Sequence, residues 1–342
     1  MAVTPQESVR RHNLGAVLRY VHLRGATSRA ELTSRLGLNR STIGALAAEL
    51  AAAGLIQEDT PRASGRAGRP SPVVRANPTG FHAYALSVEP DHLRAARVGL
   101  GGEILDSRTT DRPPGADLSA TVAVLADLVQ RLRAAAPAGV LVGCGVAIAG
   151  GAGILGAGLA EALGGDQPPL IGDPAALAAL AEHVRGAASG LDDVLYLHGD
   201  DGITAGIITG GHVVTGHRGF SGQVGHMIVN PAGRPCRCGS RGCWAAEVRP
   251  DEPTADSVRW LGHGVANLVN ILNPEAVVFG GTLRALFHAA GDDLRAHLRA
   301  TALPTSRTEP LLSVAALGEE ARLIGAAELA FERVLNDPLS SA

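Results

Sequence analysis

The sequence has no lysine; all 30 of its basic residues are arginine. That bias reads as genome composition and not as mechanism. Aromatic residues are scarce too, at 3% of 342 positions, against 44 glycines and a hydrophobic content of 46%. An aromatic core is excluded, and small residues must bring backbones close, which predicts helices layered on sheet. Cysteine is almost as rare. Three of the four thiols fall within the eight residues from Cys236 to Cys243, which excludes a disulfide framework and points to a metal in a reducing cytoplasm. The start MAVTPQESVRR has no apolar stretch, so no secretory signal is expected. The one long uncharged run, residues 138–160, holds eight glycines in 23 positions. It suits a strand followed by a glycine-rich loop better than a membrane span.

What is present is uneven in charge. Residues 1–75 carry 11 arginines against 5 acids, a balance of +6, and the remainder carries 19 against 28, a balance of −9. A basic head on an acidic body is the footprint of a chain that meets phosphate at one end. In the head, Leu14, Val17, Leu18 and Val21 share one helical face over residues 13–24, closed by Gly25. Ser28 and Glu31 form a capping box that opens a second helix reaching Leu36. Gly37 turns the chain, and Asn39 caps a third helix with Ile43, Leu46 and Leu50 inward. This helix-turn-helix order puts the start of the third helix in the major groove. Arg40, Ser41 and Thr42 are its candidate DNA contacts, with Arg29 at the start of the second helix. A strand beginning at Gly54, a basic stretch and Val73-Val74 make a wing, whose Arg66 and Arg69 suit a narrow minor groove. The bland alternative is a three-helix packing module with a solvated arginine loop.

Beyond Asn77-Pro78, apolar runs at 83–88, 94–98, 139–148, 194–197, 203–208 and 276–279 alternate with longer helical segments, an α/β pattern. His226 with Cys236, Cys238 and Cys243 supplies three thiolates and an imidazole. That set completes a tetrahedral Zn²⁺ shell with no open position, a structural site. Cys144 lies in an apolar strand and reads as packing.

The segment from Gly219 to His226, the cysteine cluster, and the stretch from Asn267 to Glu275 through Gly280-Gly281 resemble the ROK family of repressors, open reading frames and kinases. With the winged helix in front, the resemblance covers nearly the whole chain. It implies an actin-like sugar-kinase (ribonuclease H-like) fold, two lobes around a cleft, a structural zinc, and dimers or tetramers. It also implies a set of kinase positions from which this sequence departs. The catalytic Asn-Asp-Ala-Asn becomes Asp173-Pro174-Ala175-Ala176, so Pro174 stands where the base is expected. A proline accepts no proton, and loss of a general base costs about 10²–10⁴ in rate. A one-residue insertion would instead bring Asp173 into that place, while Asp followed by Pro is equally a helix N-cap and N1 pair. The first phosphate loop reads Ser87-Val88-Glu89 where Asp-x-Gly is expected, and Thr204 replaces a glycine in the second. Gln223 and Ala245 stand where the family keeps sugar-binding glutamates, leaving His226 of that polar set.

A competing motif, Gly151-x-Gly153-x-x-Gly156, follows an apolar strand and precedes a short helical stretch at 159–163, with Asp173 17 residues further on. A regulator sensing NAD would use such a loop. The sequence thus predicts an α/β chain: a winged helix-turn-helix at 1–78 and a degenerate, zinc-bearing sugar-kinase-like domain at 79–342. The expected function is transcription regulation as a homodimer or homotetramer on a palindromic double-stranded operator, cytoplasmic at the nucleoid, without catalysis and with the small-molecule effector left open. The alternatives are a repressor that still binds sugar, an active sugar kinase, and a ligand-free architectural dimer.

Overall fold

The computed structural model describes residues 5–59, 71–135, 139–150, 152–163, 168–248, 254–303 and 309–340. Helix α1 (Pro5–Arg24) buries Leu14, Val17, Leu18 and Val21, as the periodicity predicts. It starts eight residues earlier than that periodicity, because its first two turns are exposed and carry no apolar signal. After strand β1 (Thr27–Ser28) come α2 (Arg29–Leu36) and α3 (Arg40–Ala52). Ser28 caps α2 by accepting the Glu31 N–H, Gly37 takes the left-handed conformation a helix end needs, and Asn39 caps α3 through the Thr42 N–H. Strands β2 (Ile56–Asp59) and β3 (Val73–Ala76) pair antiparallel, with β1 on the other side of β3. The connecting residues 60–70, with Arg66 and Arg69, lie outside the described residues.

The rest of the chain is α/β. Strands β4 (Phe81–Val88), β5 (His92–Gly99), β6 (Ile104–Asp111), β7 (Val140–Ala147) and β8 (Leu170–Gly172) form a sheet in the order β6-β5-β4-β7-β8. Helix α4 (Leu118–Ala135) covers one face, setting Leu125, Leu128, Val129 and Leu132 against Tyr84, Leu86 and Val146. Helix α5 (Ala152–Leu163) replaces the expected glycine loop and short helix. Its glycines allow close packing: a Cβ on Gly156 would lie 3.3 Å from Ile171, and one on Gly158 3.4 Å from Val122.

A second sheet runs β11-β10-β9-β12-β13, from strands β9 (Val194–Gly199), β10 (Ile203–Thr209), β11 (His212–Val213), β12 (Ala276–Gly281) and β13 (Leu311–Val314). Helices α6 (Pro174–Arg185), α8 (Ala255–Leu272) and α9 (Leu283–Thr301) flank it, and the short α7 (Trp244–Glu247) follows the cysteine cluster. Its main core sets Leu195, Leu197, Val277 and Phe279 against Leu261, Val265, Leu286 and Leu294, with Trp244 fully buried among them. Helix α10 (Ala321–Asn336) ends the fold.

Contacts divide the chain into two compact units, residues 1–171 with 326–342, and residues 172–325. The N-terminal module falls within the first because α1 lies along the last three turns of α10. His22 and Glu328 pair there at 2.8 Å, both buried, and a Cβ on Gly15 would strike the Leu335 carbonyl. No described helix is long and apolar enough to cross a membrane.

Candidate functional site

The capping that starts α3 also shapes its outer face. Arg40 and Ser41 are exposed at the first turn and Thr42 is half-buried, while Ile43, Leu46, Ala47 and Leu50 hold the other side in the core. The Ser41 hydroxyl donates to the Asn39 side chain at 2.7 Å, which leaves its lone pairs outward. Gly44, Ala45 and Ala48 continue the outer face with almost no side chain. Arg29 is placed differently. Its Nε and Nη2 grip both Glu58 oxygens at 2.5–2.8 Å, tying α2 to β2.

In the second unit, the cysteine loop is folded by its own backbone. A turn joins the Gly239 N–H to the Cys236 carbonyl, Cys236 N–H donates to Ser240, and Cys243 bridges to Ile228. Gly242 has φ +69° and sits so tightly on the Asn230 carbonyl that no Cβ fits. His226 Nδ1 then lies 3.8 Å from Cys236 Sγ, Cys238 Sγ lies 3.7 Å from Cys243 Sγ, and all four donor atoms fall within 4.8 Å of one another. A tetrahedral ion with metal–sulfur bonds of about 2.3 Å spaces its sulfurs about 3.8 Å apart, close to both of these pair separations, so the four residues could hold a metal. Glu247, buried, supports the loop by accepting the Arg234 N–H at 2.6 Å and the Asn230 amide at 3.2 Å.

At the end of β9, His198 sits in a network with Tyr196, Arg322 and Asp200. Arg322, from the first turn of α10, donates to His198 Nε2 at 2.6 Å, so the ring proton sits on Nδ1 and faces the Tyr196 hydroxyl at 3.0 Å. Arg322 also pairs with Asp200 at 3.4 Å. Burial, with Arg322 beside it, pushes the His198 pKa down to about 3, and burial raises the Tyr196 phenol. Asp173 is the N-cap of α6: one oxygen accepts both the Ala175 and Ala176 N–H at 2.9 and 3.2 Å, and Pro174 fills N1. Burial raises the Asp173 pKa, opposed by those N–H groups and by Arg322.

The ROK family model matches residues 164–248 and 251–333 of this chain. The chain belongs to the ROK family. Over 98% of its length and 99% of the relative's, it is 23% identical to a xylose repressor of Bacillus spizizenii. The solved structure of a ROK family transcriptional regulator, a homolog of the E. coli MLC protein, superposes with a TM-score of 0.75 at 22% identity. It covers 97% of this chain and 98% of that one. The ROK hexokinase of Thermus thermophilus covers 74% of this chain and 99% of its own, with a TM-score of 0.63 and 26% identity. The two α/β units therefore carry the actin-like sugar-kinase fold of the ROK proteins.

The side chains that the sequence matched to the kinase motifs differ in their contacts. Ser87, buried, donates to Glu89, and His92 pairs with the same carboxylate at 3.4 Å. Thr204 is the strand partner of His198, Gln223 is exposed with no capping bond, and Ala245 packs over Gly202 and Gly225. Asp173 caps α6, and residues 152–156 of the glycine motif are helical, while Gly151 lies outside the described residues. Cys144 is the packing residue expected, its thiol pushed up to about 12 by burial. Sequence reasoning missed Glu247, Arg322 and His198. Only the first left a local signal, four residues after the last thiol.

The buried histidines give a pH dependence. His198 titrates at about 3 and buried His82 of β4 at about 4, against 6.5 in the unfolded chain. Between those values the unfolded state binds more protons, so stability rises with pH and is lost as pH falls below 6.5. At pH 5 each histidine should cost about 2 kcal/mol relative to pH 7. Urea unfolding at the two pH values measures this, and His82→Gln should remove its share; an unchanged midpoint would refute it.

Proposed function

We propose that this protein is a DNA-binding transcription regulator, a repressor by its relatives' names. Residues 1–78 read the operator and 79–342 serve assembly without catalysis. The observation that carries it is the capped α3, with Arg40 and Ser41 exposed on its first turn, in a module that also pairs β2 with β3. Arg40 reads a guanine or grips phosphate, and Arg66 and Arg69 reach the minor groove. Zinc held by His226, Cys236, Cys238 and Cys243 locks the fold. The chain acts as a homodimer or homotetramer on a palindromic site, so that protein and operator share a two-fold axis.

The non-catalytic reading rests on two separate pairs, Ser87 with Glu89 and Arg322 with His198, and on Pro174 at the place the resemblance gives the base. In vitro selection of duplexes by the full-length protein tests the DNA reading. An inverted-repeat sequence should be enriched, and Arg40→Ala should weaken its binding by about 5- to 150-fold, the 1–3 kcal/mol of one base contact. ATP-dependent phosphorylation of hexoses or N-acetylhexosamines by the same preparation would overturn the non-catalytic reading.

A further inference from the structure

We propose that Arg29 is a positioning residue and not a DNA contact: clamped on Glu58, it fixes recognition helix α3 and helix α2 to the wing. The inference rests on the DNA-binding reading only for its consequence; the clamp itself stands on geometry. Arg29 is the first residue of α2. Its guanidinium uses Nε and Nη2 on both carboxylate oxygens of Glu58 in β2, and its side chain is 28% exposed. A forked, charge-assisted pair of this kind carries direction as well as attraction. The remaining nitrogen lies against α3: a Cβ on Gly44 would be 3.5 Å from Nη1, in van der Waals contact. The backbone of the same residue is also held, since the Arg29 N–H donates to the Pro72 carbonyl ahead of β3 and the Arg29 carbonyl accepts the Thr33 hydroxyl.

One side chain therefore touches α3 and β2, while its main chain is anchored within its own helix and just ahead of β3. Gly44 lies one turn along α3 from Arg40, so the clamp closes directly behind the base-reading residues. The charges argue the same way. Glu58 alone would repel phosphate, and Arg29 alone would attract it. Engaged with each other they present a neutral contact and a fixed angle between helix and wing.

The test uses Arg29→Ala, Glu58→Ala, the double variant and the exchanged pair Arg29→Glu with Glu58→Arg, all in the full-length protein. Hydrogen exchange of α2, α3 and β2 amides reads the clamp without DNA. Each single variant should speed exchange there to a similar extent, and the double should add nothing. Affinity for the duplex enriched by the wild type should fall about tenfold in each single variant, equivalent to about 1.4 kcal/mol. The salt slope should stay unchanged, and the exchanged pair should recover part of the loss.

A direct phosphate contact would show the opposite pattern: tighter binding by Glu58→Ala, and a slope lower by about 1 in Arg29→Ala for enriched and scrambled duplexes alike. That pattern overturns the proposal, as does unchanged exchange in both single variants. If the wild type enriches no duplex, the DNA-binding reading fails, and hydrogen exchange still decides the clamp.

Discussion

Stripping the metal, or replacing Cys238 with Ser, should lower the melting temperature of the second unit by about 10 °C or more. Structural zinc contributes folding free energy outright, and each kcal/mol is worth about 2–4 °C in a unit of this size. The loop from Pro231 to Arg241 is largely exposed and buries no apolar side chain of its own. It is held by a few turn hydrogen bonds and the Glu247 carboxylate, beside the four residues that could hold a metal. Cys243, by contrast, is fully buried and leads directly into Trp244, the largest buried side chain of the core, whose indole N–H donates to the Trp260 carbonyl. Fraying of the loop thus enters the core through a single peptide. Both tryptophans of the chain sit at this junction, so intrinsic fluorescence reports the event specifically. Metal analysis should return about one zinc per chain. Metal-free protein with an unchanged melt and an unchanged tryptophan spectrum would refute the site.

Features determined within a few residues were legible before the structure was. Ser28, Asn39 and Asp173 declare their helices because a capping side chain bonds an N–H two or three positions on. The candidate metal ligands show in their spacing, since three of the four close a single loop. Strand β6 escaped because it is an edge strand whose sequence, ILDSRTTD, alternates half-buried with exposed residues and forms no apolar run. The first turns of α1 escaped for want of any buried face. The first half of helix α5 reads as loop because its glycines suggest one, whereas Gly156 and Gly158 let it pack closely on Ile171 and Val122. The pairs that tie elements together were the least legible. Arg29 finds Glu58 at a separation of 29 residues, and His22 finds Glu328 at 306. Such partners are chosen by the tertiary fold, and a charge alone does not say which opposite charge it will meet.

The His22–Glu328 pair carries the second large effect. His22 accepts the Gly101 N–H at Nδ1 over 2.8 Å, so the neutral ring holds its proton on Nε2 and directs it at Glu328 Oε2, also at 2.8 Å. Phe331 packs edge-on to the ring at 5.2 Å. Flanking ion pairs, Arg19 with Glu332 and Arg11 with Asp337, are substantially exposed and contribute little by comparison. His22→Leu removes a proton donor to a buried carboxylate, and should cost about 1.5–3 kcal/mol, the scale of a hydrogen bond to a charged group. Replacing both partners, His22→Leu with Glu328→Leu, removes the charge as well as its donor, so the double variant should recover more than half of that loss. Urea unfolding of the single and double variants measures the coupling, and strictly additive costs would show that the pair does not act as a unit. Because α1 is the first helix of the module that holds α3, loosening its seat on α10 also frees the recognition helix. Specific DNA affinity should therefore fall in His22→Leu and return in step with stability in the double variant. Stability restored without affinity would mean that the ring itself, and not the docking it provides, sets the posture of the DNA-binding module.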